Sequence, residues 1–579
     1  PVDDNGKFTK DVPEFEGQYV FKANEGIIEL LKSKDALLLR EDIRHSYPHC
    51  WRCKSPIIFR ATEQWFASMD KTGLRKDALT AIDNAIRWIP SWGRDRIYNM
   101  IENRPDWCLS RQRAWGVPIP GLKCKTCSHA FLDKNLIDKL VAAFEKEGAD
   151  IWFEQGLKDL LPNGVKCPKC GATDFDKEQD ILDVWFDSGV SFAAVLEKRA
   201  NLKFPADLYL EGSDQHRGWF HSSLLASIGT RGTPPYKAVL THGFVVDGSG
   251  KKMSKSTGNV IAPQEVIKKY GAEVLRLWVC AEDYREDIRI SEEILTRLAE
   301  AYRRIRNTFR YILGNLYDFD PSKDVVPYAE LAEIDRLTLH RLCRLDETVQ
   351  AAYKEFEFHK IYHAAHNFCA VDLSAYYLDI IKDRLYTNKA TSKARRAGQT
   401  TIYHVLDHLV RLLAPILVFT TDEAWGFMPG KREPSVHLAA MPEANKVWLD
   451  DKLEEKWNRL LKIKDEISKT LEGARRDKFI GHPLDAEVSI NLAHKDILKD
   501  LFQEADTQKM IDLLNAEKSP LGDILIISKL NVIDNKSEMI IQVKKAEGAK
   551  CERCWHYDPT VGANPTHPTV CSRCAEALK

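Results

Sequence analysis

The chain has 579 residues, which is long enough for several domains rather than one hydrophobic core. Its 84 Lys and Arg residues balance 85 Asp and Glu residues, so the net charge of −1 excludes a globally basic nucleic-acid-binding protein and leaves only local basic patches. No apolar run approaches the roughly 18 residues of a membrane-spanning helix. The first residues, PVDDNGKFTK, lack the basic start and apolar core of a signal peptide.

Short elements are predicted along the first 180 residues. The segment NEGIIELLKS (24–33) predicts an amphipathic helix, and ALLLREDIRHSYP (36–48) predicts an extended segment. A tryptophan-rich region with helical stretches follows at 60–110. Residues 121–180 carry two cysteine pairs around a predicted helix at 134–147, which indicates a small insertion.

Residues 181–290 alternate between strand-like and helical runs. The apolar segments DLYLEG (207–212) and AVLTHGFVVD (238–247) predict strands, and each is followed by polar or glycine-rich residues and then by a helix. This alternation predicts a parallel, doubly wound sheet, in which ligands bind at the carboxyl ends of the strands.

From Ser291 the pattern becomes helical. Apolar residues recur every three or four positions, and Ser291 is placed to cap the helix with two glutamates in the first turn. The apolar positions are Ile294, Leu298, Ala301, Ile305, Phe309, Ile312 and Leu316. Further helical segments to residue 475 predict a bundle. The last hundred residues mix helix with two predicted strands, AEVSINLA (486–493) and MIIQVKKA (539–546).

Ten of the 14 cysteines form five C-x-x-C pairs, which in a large chain without a secretion signal favour metal sites over disulfides. Cys551, Cys554, Cys571 and Cys574 have the spacing of a four-cysteine zinc site, and the short tail around them needs the metal to fold. Cys124, Cys127, Cys167 and Cys170 predict a second zinc site. The fifth pair, Cys50 and Cys53, supplies only half of a tetrahedral site.

The segment VVDGSGKKMSKSTGNV (245–260) places three lysines and four hydroxyl side chains among glycines at the end of a predicted strand. Lysines on a mobile loop suit the spread charge of a polyphosphate, although a solvated surface loop is the ordinary interpretation of such a cluster. Here KMSKS (252–256) is a full literal match to the signature of class I aminoacyl-tRNA synthetases.

Further segments carry the same resemblance over essentially the whole chain. They are HCWRCKSPIIFRATEQWF (49–66), RPDWCLSRQRAWGVPIP (104–120), LDVWFDSG (182–189), YLEGSDQHRGWFHSSLL (209–225), YGAEVLRLWVCAEDYREDIRIS (270–291) and the terminal cysteine set. Together they resemble the isoleucyl-tRNA synthetases of bacterial type. Single motifs are shared with the valyl and leucyl enzymes, whereas SRQRAWG and the terminal cysteines favour the isoleucyl family.

The resemblance implies roles for specific residues. Lys252 and Lys255 would act on the ATP phosphates, with Ser254 beside them. The adenylate would be bound by Glu211, Gly212, Asp214, Gln215, His216 and His242, and the isoleucine side chain would lie between Trp185 and Trp219. From the residues alone, EGSDQH (211–216) equally fits a polar turn, and the two tryptophans fit core positions. An aliphatic pocket discriminates weakly against a substrate one methylene smaller, which is why the resemblance implies a separate editing domain.

The resemblance also implies a multidomain fold, α/β followed by α. In chain order the expected parts are a remnant of the editing and connective insertion (1–60), a catalytic-domain segment (61–120), a zinc-knuckle insertion (121–180), the second half of a Rossmann-type catalytic domain with the KMSKS loop (181–290), an all-α anticodon-binding bundle (291–475) and a tRNA-contacting region with a four-cysteine zinc finger (476–579).

The implied ligands are ATP, isoleucine, Mg²⁺, Zn²⁺ and tRNA(Ile), and we expect a cytoplasmic monomer without a membrane partner. Local basic patches fit an RNA partner, although each alone is typical of a solvated face. They are Arg303, Arg304, Arg306 and Arg310; Lys393, Arg395 and Arg396; and Arg475, Arg476 and Lys478. Arg553, Trp555, His556 and Arg573 suit either RNA contact or docking of the tail on the body.

Two expected features are missing from the sequence. It contains neither the His-x-Gly-His motif that helps class I synthetases hold ATP nor the Gly-Thr-Gly and His-x-Ala-Pro motifs of editing domains. We therefore expect the C-terminal three-fifths of an isoleucine–tRNA ligase, with the partner of Cys50 and Cys53 in the absent part. The alternatives are a valyl-tRNA synthetase and a catalytically inactive tRNA-binding module.

Overall fold

The structure is a computed structural model that describes residues 1–50, 53–254, 257–491, 521–533 and 541–579. The chain divides into two compact units, Pro1–Thr241 and His242–Lys579, and each is described by itself.

The first unit contains nine α-helices and ten short strands among its described residues. The helices are α1 (Asn24–Ser33), α2 (Leu74–Asn84), α3 (Trp92–Glu102), α4 (Lys134–Glu147), α5 (Ile151–Glu154), α6 (Leu157–Leu160), α7 (Val184–Gly189), α8 (Ser191–Val195) and α9 (Trp219–Arg231). The strands are β1 (Phe66–Ala67), β2 (Arg87–Ile89), β3 (Trp107–Cys108), β4 (Ser110–Arg111), β5 (Gly121–Cys124), β6 (Ala130–Leu132), β7 (Phe175–Lys177), β8 (Ile181–Leu182), β9 (Tyr209–Gly212) and β10 (Ala238–His242).

A three-stranded sheet with the order β2–β10–β9 organises this unit. Strands β2 and β10 run parallel, with Val239 opposite Trp88. Helices α2, α3 and α9 share one core with the sheet, in which Ile82, Ile97 and Leu224 are fully buried. Helix α9 is buried on nearly every side, so its sequence lacks the polar face of a surface helix. The predicted strand at 207–212 and the predicted parallel pairing are confirmed.

The predicted insertion has its own small core. Strands β6, β5 and β7 form an antiparallel sheet beside α4, and Leu122, Leu136 and Trp152 are buried together there. Helix α4 has the predicted bounds, and the Asp133 side chain caps it by accepting a hydrogen bond from the N–H of Leu136.

The second unit is mainly helical. Its helices are α10 (Pro263–Tyr270), α11 (Ala272–Ala281), α12 (Glu292–Asn315), α13 (Glu333–Lys354), α14 (Phe358–Asn367), a π-helical turn (Phe368–Tyr377), α15 (Leu378–Ile380), α16 (Lys382–Thr387), α17 (Lys393–Leu413), α18 (Val418–Phe427), α19 (Asp451–Arg476), α20 (Leu521–Leu525) and α21 (Ser572–Ala577). Its strands are β11 (Val245–Asp247), β12 (Ile288–Ile290), β13 (Ala486–Asn491), β14 (Lys529–Ile533), β15 (Ile541–Lys545), β16 (Ala549–Lys550) and β17 (Tyr557–Asp558). None of the helices among the described residues has the length and apolar composition needed to cross a bilayer.

The sequence predicts AVLTHGFVVD as one strand, and the structure divides it into two. Strand β10 ends at His242, and β11 begins at Val245 and pairs in parallel with β12. Gly243 explains the break: a Cβ there would lie 2.3 Å from the carbonyl oxygen of Glu286, so only glycine permits this backbone approach. The Gly243 N–H donates to the carbonyl of Tyr284 over 2.8 Å.

Helix α12 follows the sequence prediction closely. Ser291 is its N-cap, and its hydroxyl accepts a hydrogen bond from the N–H of Ile294 over 3.3 Å. The predicted apolar stripe faces the core, where Ile305 and Ile312 are almost inaccessible to solvent. A sheet with the order β14–β13–β15 extends the same core, and β13 and β15 lie within the two strands predicted in this region. The predicted positions 492–493 and 539–540 lie outside the described residues.

Of the predicted basic patch formed by Lys393, Arg395 and Arg396, the structure leaves only Lys393 exposed. Arg395 is buried, and its guanidinium forms two hydrogen bonds with the Asp318 carboxylate, at 2.7 and 3.0 Å. Arg396 is also largely buried and pairs with Asp318 and Asp324. Both arginines therefore fix the start of α17 inside the bundle and are not available to a nucleic acid. The Lys393 side chain is exposed and pairs with Glu330.

His404 on α17 gives the bundle a predicted sensitivity to acid. Burial, together with the nearby His408, lowers the pKa of His404 to about 4, and its ring lies 5.2 Å from that of Trp448. The unfolded chain takes up this proton near pH 6.5. The contribution of His404 to the free energy of unfolding is therefore fully present above that pH. It falls as the pH drops towards 4, and about 2 kcal/mol of it is lost at pH 5. We expect His404→Gln to reduce the loss of Tm between pH 7 and pH 5, measured by circular dichroism; an equal loss in both proteins would contradict the assignment.

Candidate active site and zinc centres

The carboxyl end of β9 carries the predicted adenylate platform. The strand ends at Gly212, a 3₁₀ turn spans Ser213–His216, and α9 begins at Trp219. Glu211 and Asp214 are exposed, whereas Gly212 and His216 are buried. Burial lowers the pKa of His216. Its Nδ1 lies 3.1 Å from the carbonyl oxygen of Ser213, and its Nε2 is buried against Gly93 without a hydrogen-bond partner. The motif therefore presents carboxylates to solvent at the end of a sheet strand, where α/β proteins bind ligands.

The two predicted pocket tryptophans lie together beside the platform. Trp185 is 45% exposed at the start of α7, and its ring lies against Gly218, where a Cβ would be 2.8 Å from the ring. Trp219 stacks on Tyr209 with ring centroids 4.0 Å apart and donates its indole N–H to the carbonyl of Ser188 over 3.1 Å. Trp185 is therefore free to contact a ligand, while Trp219 is half-buried and fixed.

Gly218, which the sequence patterns did not single out, lies between Gln215 and Trp185 of the candidate site. A Cβ at this position would also lie 2.4 Å from Oε1 of Gln215, and the same Oε1 accepts the N–H of Trp219 over 2.9 Å. Any side chain would thus displace Gln215 and Trp185 together. The glycine inside HRGWF (216–220), between two groups of the predicted site, was the available signal.

The second unit holds the KMSKS loop and His242. His242 is the last residue of β10, and its Nδ1 lies 2.7 Å from the carbonyl oxygen of Gly243. After β11 the chain folds back in a tight turn, so that Val246 bridges Lys252. Lys252 is exposed, with its Nζ 5.3 Å from the centroid of the Phe244 ring, whereas Met253 packs on the core. Lys255 lies outside the described residues.

Asp247 and Asn259 close the base of this loop. The Asp247 carboxylate accepts hydrogen bonds from the N–H of Lys251, from Ser249 and, over 2.8 Å, from the Asn259 amide. These donors hold the pKa of Asp247 well below its usual range. Asn259 also donates to the carbonyl of Lys252 and accepts the N–H of Ser254 over 3.0 Å. Neither residue was singled out from the sequence, although Asn259 lies just beyond the signature.

The terminal cysteines are arranged for a metal ion. The sulfur atoms of Cys551, Cys554, Cys571 and Cys574 all lie within 4.8 Å of one another, and the four residues are buried. The Cys554 and Cys571 sulfurs are 3.8 Å apart, which is the separation expected for two thiolates at tetrahedral positions about 2.3 Å from zinc. Burial opposes ionisation of Cys551, but backbone N–H groups outweigh it and lower the pKa of this thiol to about 6. The site therefore fits Zn²⁺.

The insertion contains a second set with the same geometry. The sulfurs of Cys124 and Cys170 are 3.6 Å apart, as are those of Cys127 and Cys167, and all four lie within 4.8 Å. The ligands come from the β5–β6 turn and from the loop before β7, so the metal joins the two ends of the insertion. Cys53 is exposed, and no metal-binding group of three ligands among the described residues includes it.

A cleft in the second unit lies next to the terminal zinc site. Its volume is about 1250 Å³, and helices α16, α17 and α19 form its walls together with residues of the zinc-bound tail. Many of its lining side chains are basic or aromatic: Lys382, Arg384, Tyr386, Lys393, Lys464, Arg475, His482, Arg553, Trp555, His556 and Arg573. Four carboxylates also line the cleft, those of Glu330, Asp379, Asp383 and Glu472, and each pairs with one of these basic groups. The exposed aromatic rings therefore suit unstacked bases more clearly than the charges suit phosphates.

Three family models match the chain. Residues 8–291 match the tRNA synthetases of class I (I, L, M and V), residues 335–490 match the anticodon-binding domain of tRNA ligase, and residues 548–577 match a zinc finger found in FPG and IleRS. This chain belongs to the class I tRNA synthetases. The segment that Asp247 and Asn259 close lies inside the class I synthetase match, and the IleRS zinc-finger match contains the terminal cysteine cluster.

Curated relatives in this family are isoleucine–tRNA ligases. Those of Geobacter sulfurreducens and Syntrophotalea carbinolica are each 54% identical to this chain, and that of Moorella thermoacetica is 50% identical. Each alignment covers 100% of this chain, which spans 62% of the length of the relative. A solved ternary complex of LeuRS, tRNA and LeuAMS from Agrobacterium radiobacter K84 has a TM-score of 0.45 and 18% identity, covering 70% of this chain and 48% of that one.

Proposed function

We propose that this chain provides the tRNA-binding bundle and the ATP loop of an isoleucine–tRNA ligase. The observation that supports this most strongly is 50–54% identity to such ligases along the whole chain. The substrates are then ATP, isoleucine and tRNA(Ile), with Mg²⁺ and structural Zn²⁺. We also propose a cytoplasmic location and a monomeric state.

The proposed reaction has two steps. The isoleucine carboxylate attacks the α-phosphate of ATP and expels pyrophosphate, and a ribose hydroxyl at the tRNA terminus then attacks the adenylate and releases AMP. Lys252 and Lys255 stabilise charge on the phosphates, and Glu211, Asp214 and Gln215 orient the adenylate through hydrogen bonds. Trp185 forms the exposed wall of the side-chain pocket. Mg²⁺ would screen phosphate charge when it is bound.

An active ligase and an inactive tRNA-binding module predict different results for this chain on its own. Because it lacks the His-x-Gly-His motif, we expect negligible isoleucine-dependent ATP–pyrophosphate exchange by the chain alone but measurable affinity for tRNA(Ile). Filter binding with a tRNA(Ile) transcript should show Kd rising by about tenfold or more between 50 and 200 mM salt. Robust exchange by the chain alone would contradict the inactive-module alternative, and salt-independent or absent tRNA binding would contradict the proposed function.

Valine provides the test against the valyl alternative. In a polypeptide that joins this chain to a segment with the His-x-Gly-His motif, isoleucine should support exchange with a kcat/KM higher than that for valine by roughly 10- to 200-fold, the range that one methylene supplies in an aliphatic pocket. Isoleucyl-tRNA synthetases are themselves a standard example of this range, so the figure is a property of the family and does not come from this structure. A preference for valine would favour the valyl assignment.

A further inference from the structure

Both halves of the terminal zinc site carry an arginine in the same place. The two pairs read Cys551-Glu-Arg-Cys554 and Cys571-Ser-Arg-Cys574, so Arg553 and Arg573 occupy equivalent positions of the two knuckles. We propose that these arginines are positioning residues that dock the zinc-bound tail on helix α16, and that this docking builds one wall of the cleft that takes RNA. The RNA part of this inference rests on the proposed function.

Arg573 forms the stronger contact. Its two terminal nitrogens donate to the two carboxylate oxygens of Asp383 on α16, over 2.6 and 2.9 Å. This bidentate arrangement is the most favourable one between a guanidinium and a carboxylate. Burial opposes ionisation of Asp383, but the bond to Arg573 outweighs it and lowers the pKa of this carboxyl. Asp383 is therefore a charged partner at neutral pH.

Arg553 contacts the other end of the same helix. Its Nε and one terminal nitrogen donate to the carbonyl of Thr387 over 3.2 and 3.1 Å, and that terminal nitrogen also lies 3.5 Å from the carbonyl of Tyr386. The last carbonyls of a helix have no partner within the helix and carry partial negative charge, so a guanidinium satisfies and stabilises them. The two arginines thus hold α16 both at the Asp383 carboxylate and at its carboxyl terminus.

Zinc binding couples the contact of Arg553 with α16 to that of Arg573. Each arginine lies between two cysteines, so its backbone position depends on the convergence of the four sulfurs, two of which are 3.8 Å apart across the knuckles. The six-residue knuckle cluster has little other core: Val570 and Ala575 are its remaining buried members. Without zinc, the tail lacks the packing needed to hold Arg553 and Arg573 in position against α16.

Docking places aromatic groups of the tail and of the bundle on one cleft. Trp555 follows Cys554 directly and is 56% exposed, and Tyr386 on α16 is 55% exposed; both line the cleft. Exposed aromatic rings stack on unpaired bases. The guanidinium groups of Arg553 and Arg573 are engaged with α16, so they set the position of Trp555 rather than neutralise phosphates themselves.

A charge exchange tests the proposal on the full chain. In Arg573→Glu the carboxylates at 383 and 573 repel each other, so we expect a tenfold or larger rise in Kd for a tRNA(Ile) transcript and faster trypsin cleavage at Lys545 and Lys550, which precede the knuckles. Bound zinc, measured by atomic absorption, should be unchanged. The double variant Asp383→Arg with Arg573→Glu restores an opposite pair with the wild-type net charge, and we expect Kd within about threefold of wild type and wild-type trypsin resistance.

The outcomes separate docking from direct RNA contact. If the double variant binds tRNA as weakly as Arg573→Glu but resists trypsin like the wild type, Arg573 contacts RNA and the positioning role is wrong. If Arg573→Glu binds tRNA and resists trypsin like the wild type, the docking is irrelevant to the cleft. If the wild-type chain binds no tRNA, the proposed function fails, and the trypsin comparison alone decides whether the arginines dock the tail. Arg553→Met should raise Kd less than Arg573→Glu does. Arg553 donates only to uncharged backbone carbonyls, so its replacement removes weaker hydrogen bonds and places no like charges together.

Discussion

Lys255→Ala is expected to lower isoleucine-dependent ATP–pyrophosphate exchange by roughly 10²- to 10³-fold, the effect of removing one charge-stabilising donor from a catalytic site. Lys255 is the second lysine of KMSKS, and it would stabilise the negative charge that develops on the phosphates as pyrophosphate leaves. Because its action is electrostatic and local, folding should be unaffected. The measurement is radiolabelled pyrophosphate exchange by a polypeptide that joins this chain to a segment with the His-x-Gly-His motif, with Tm recorded alongside.

Two residues near Lys255 provide variants for comparison: Lys251 as a matched control and Asn259 as a change expected to have an intermediate effect. Lys251 uses its backbone N–H to bind Asp247, and its side chain is exposed outside the signature, so Lys251→Ala should leave the exchange rate within about twofold of wild type. Asn259→Ala removes the amide that joins Asp247, Lys252 and Ser254, and we expect an intermediate loss, in kcat more than in the KM for isoleucine. Equal rates for Lys255→Ala and the wild type would refute the role of the lysine.

Those parts of the fold that depend on local pattern could be predicted from the sequence. Helices α1 and α4, the cap at Ser291 and the strands β9, β13 and β15 follow from apolar period and capping chemistry, which act over a few residues. The two four-cysteine clusters follow from spacing, because C-x-x-C turns present two sulfurs to one point. The KMSKS assignment follows from a literal match.

Features that depend on distant partners were beyond the sequence. Arg395 looks like a surface charge until Asp318, far away along the chain, is seen to bind it with two hydrogen bonds. Gly243 looks like an interior strand residue until the carbonyl of Glu286 is found where its Cβ would be. The sequence leaves Arg573 open to RNA contact or docking, and the structure places it against α16. Long-range pairs of this kind leave no periodic signal.

Removal of zinc is the second change with a large expected effect. Zinc bound to four thiolates contributes roughly 10–16 kcal/mol of apparent binding free energy in zinc-finger peptides, and for a small tail this is folding free energy. We expect Cys571→Ser to unfold residues 548–577, seen as rapid trypsin cleavage at Lys550, and to weaken tRNA binding at least as much as Arg573→Glu. Because the tail wall of the cleft depends on α16 docking, loss of zinc and loss of docking should have the same consequence for RNA.

Metal stoichiometry makes the zinc prediction quantitative. With both clusters loaded, atomic absorption should give two zinc ions per chain, one in Cys571→Ser or Cys170→Ser, and none when both substitutions are combined. Cys280→Ser is the matched control, because Cys280 lies on α11 outside both clusters, and it should retain two. Since the insertion lies in the first unit and the cleft in the second, Cys170→Ser should leave tRNA affinity near wild type. Two retained zinc ions in Cys571→Ser would show that the terminal cysteines do not hold the metal.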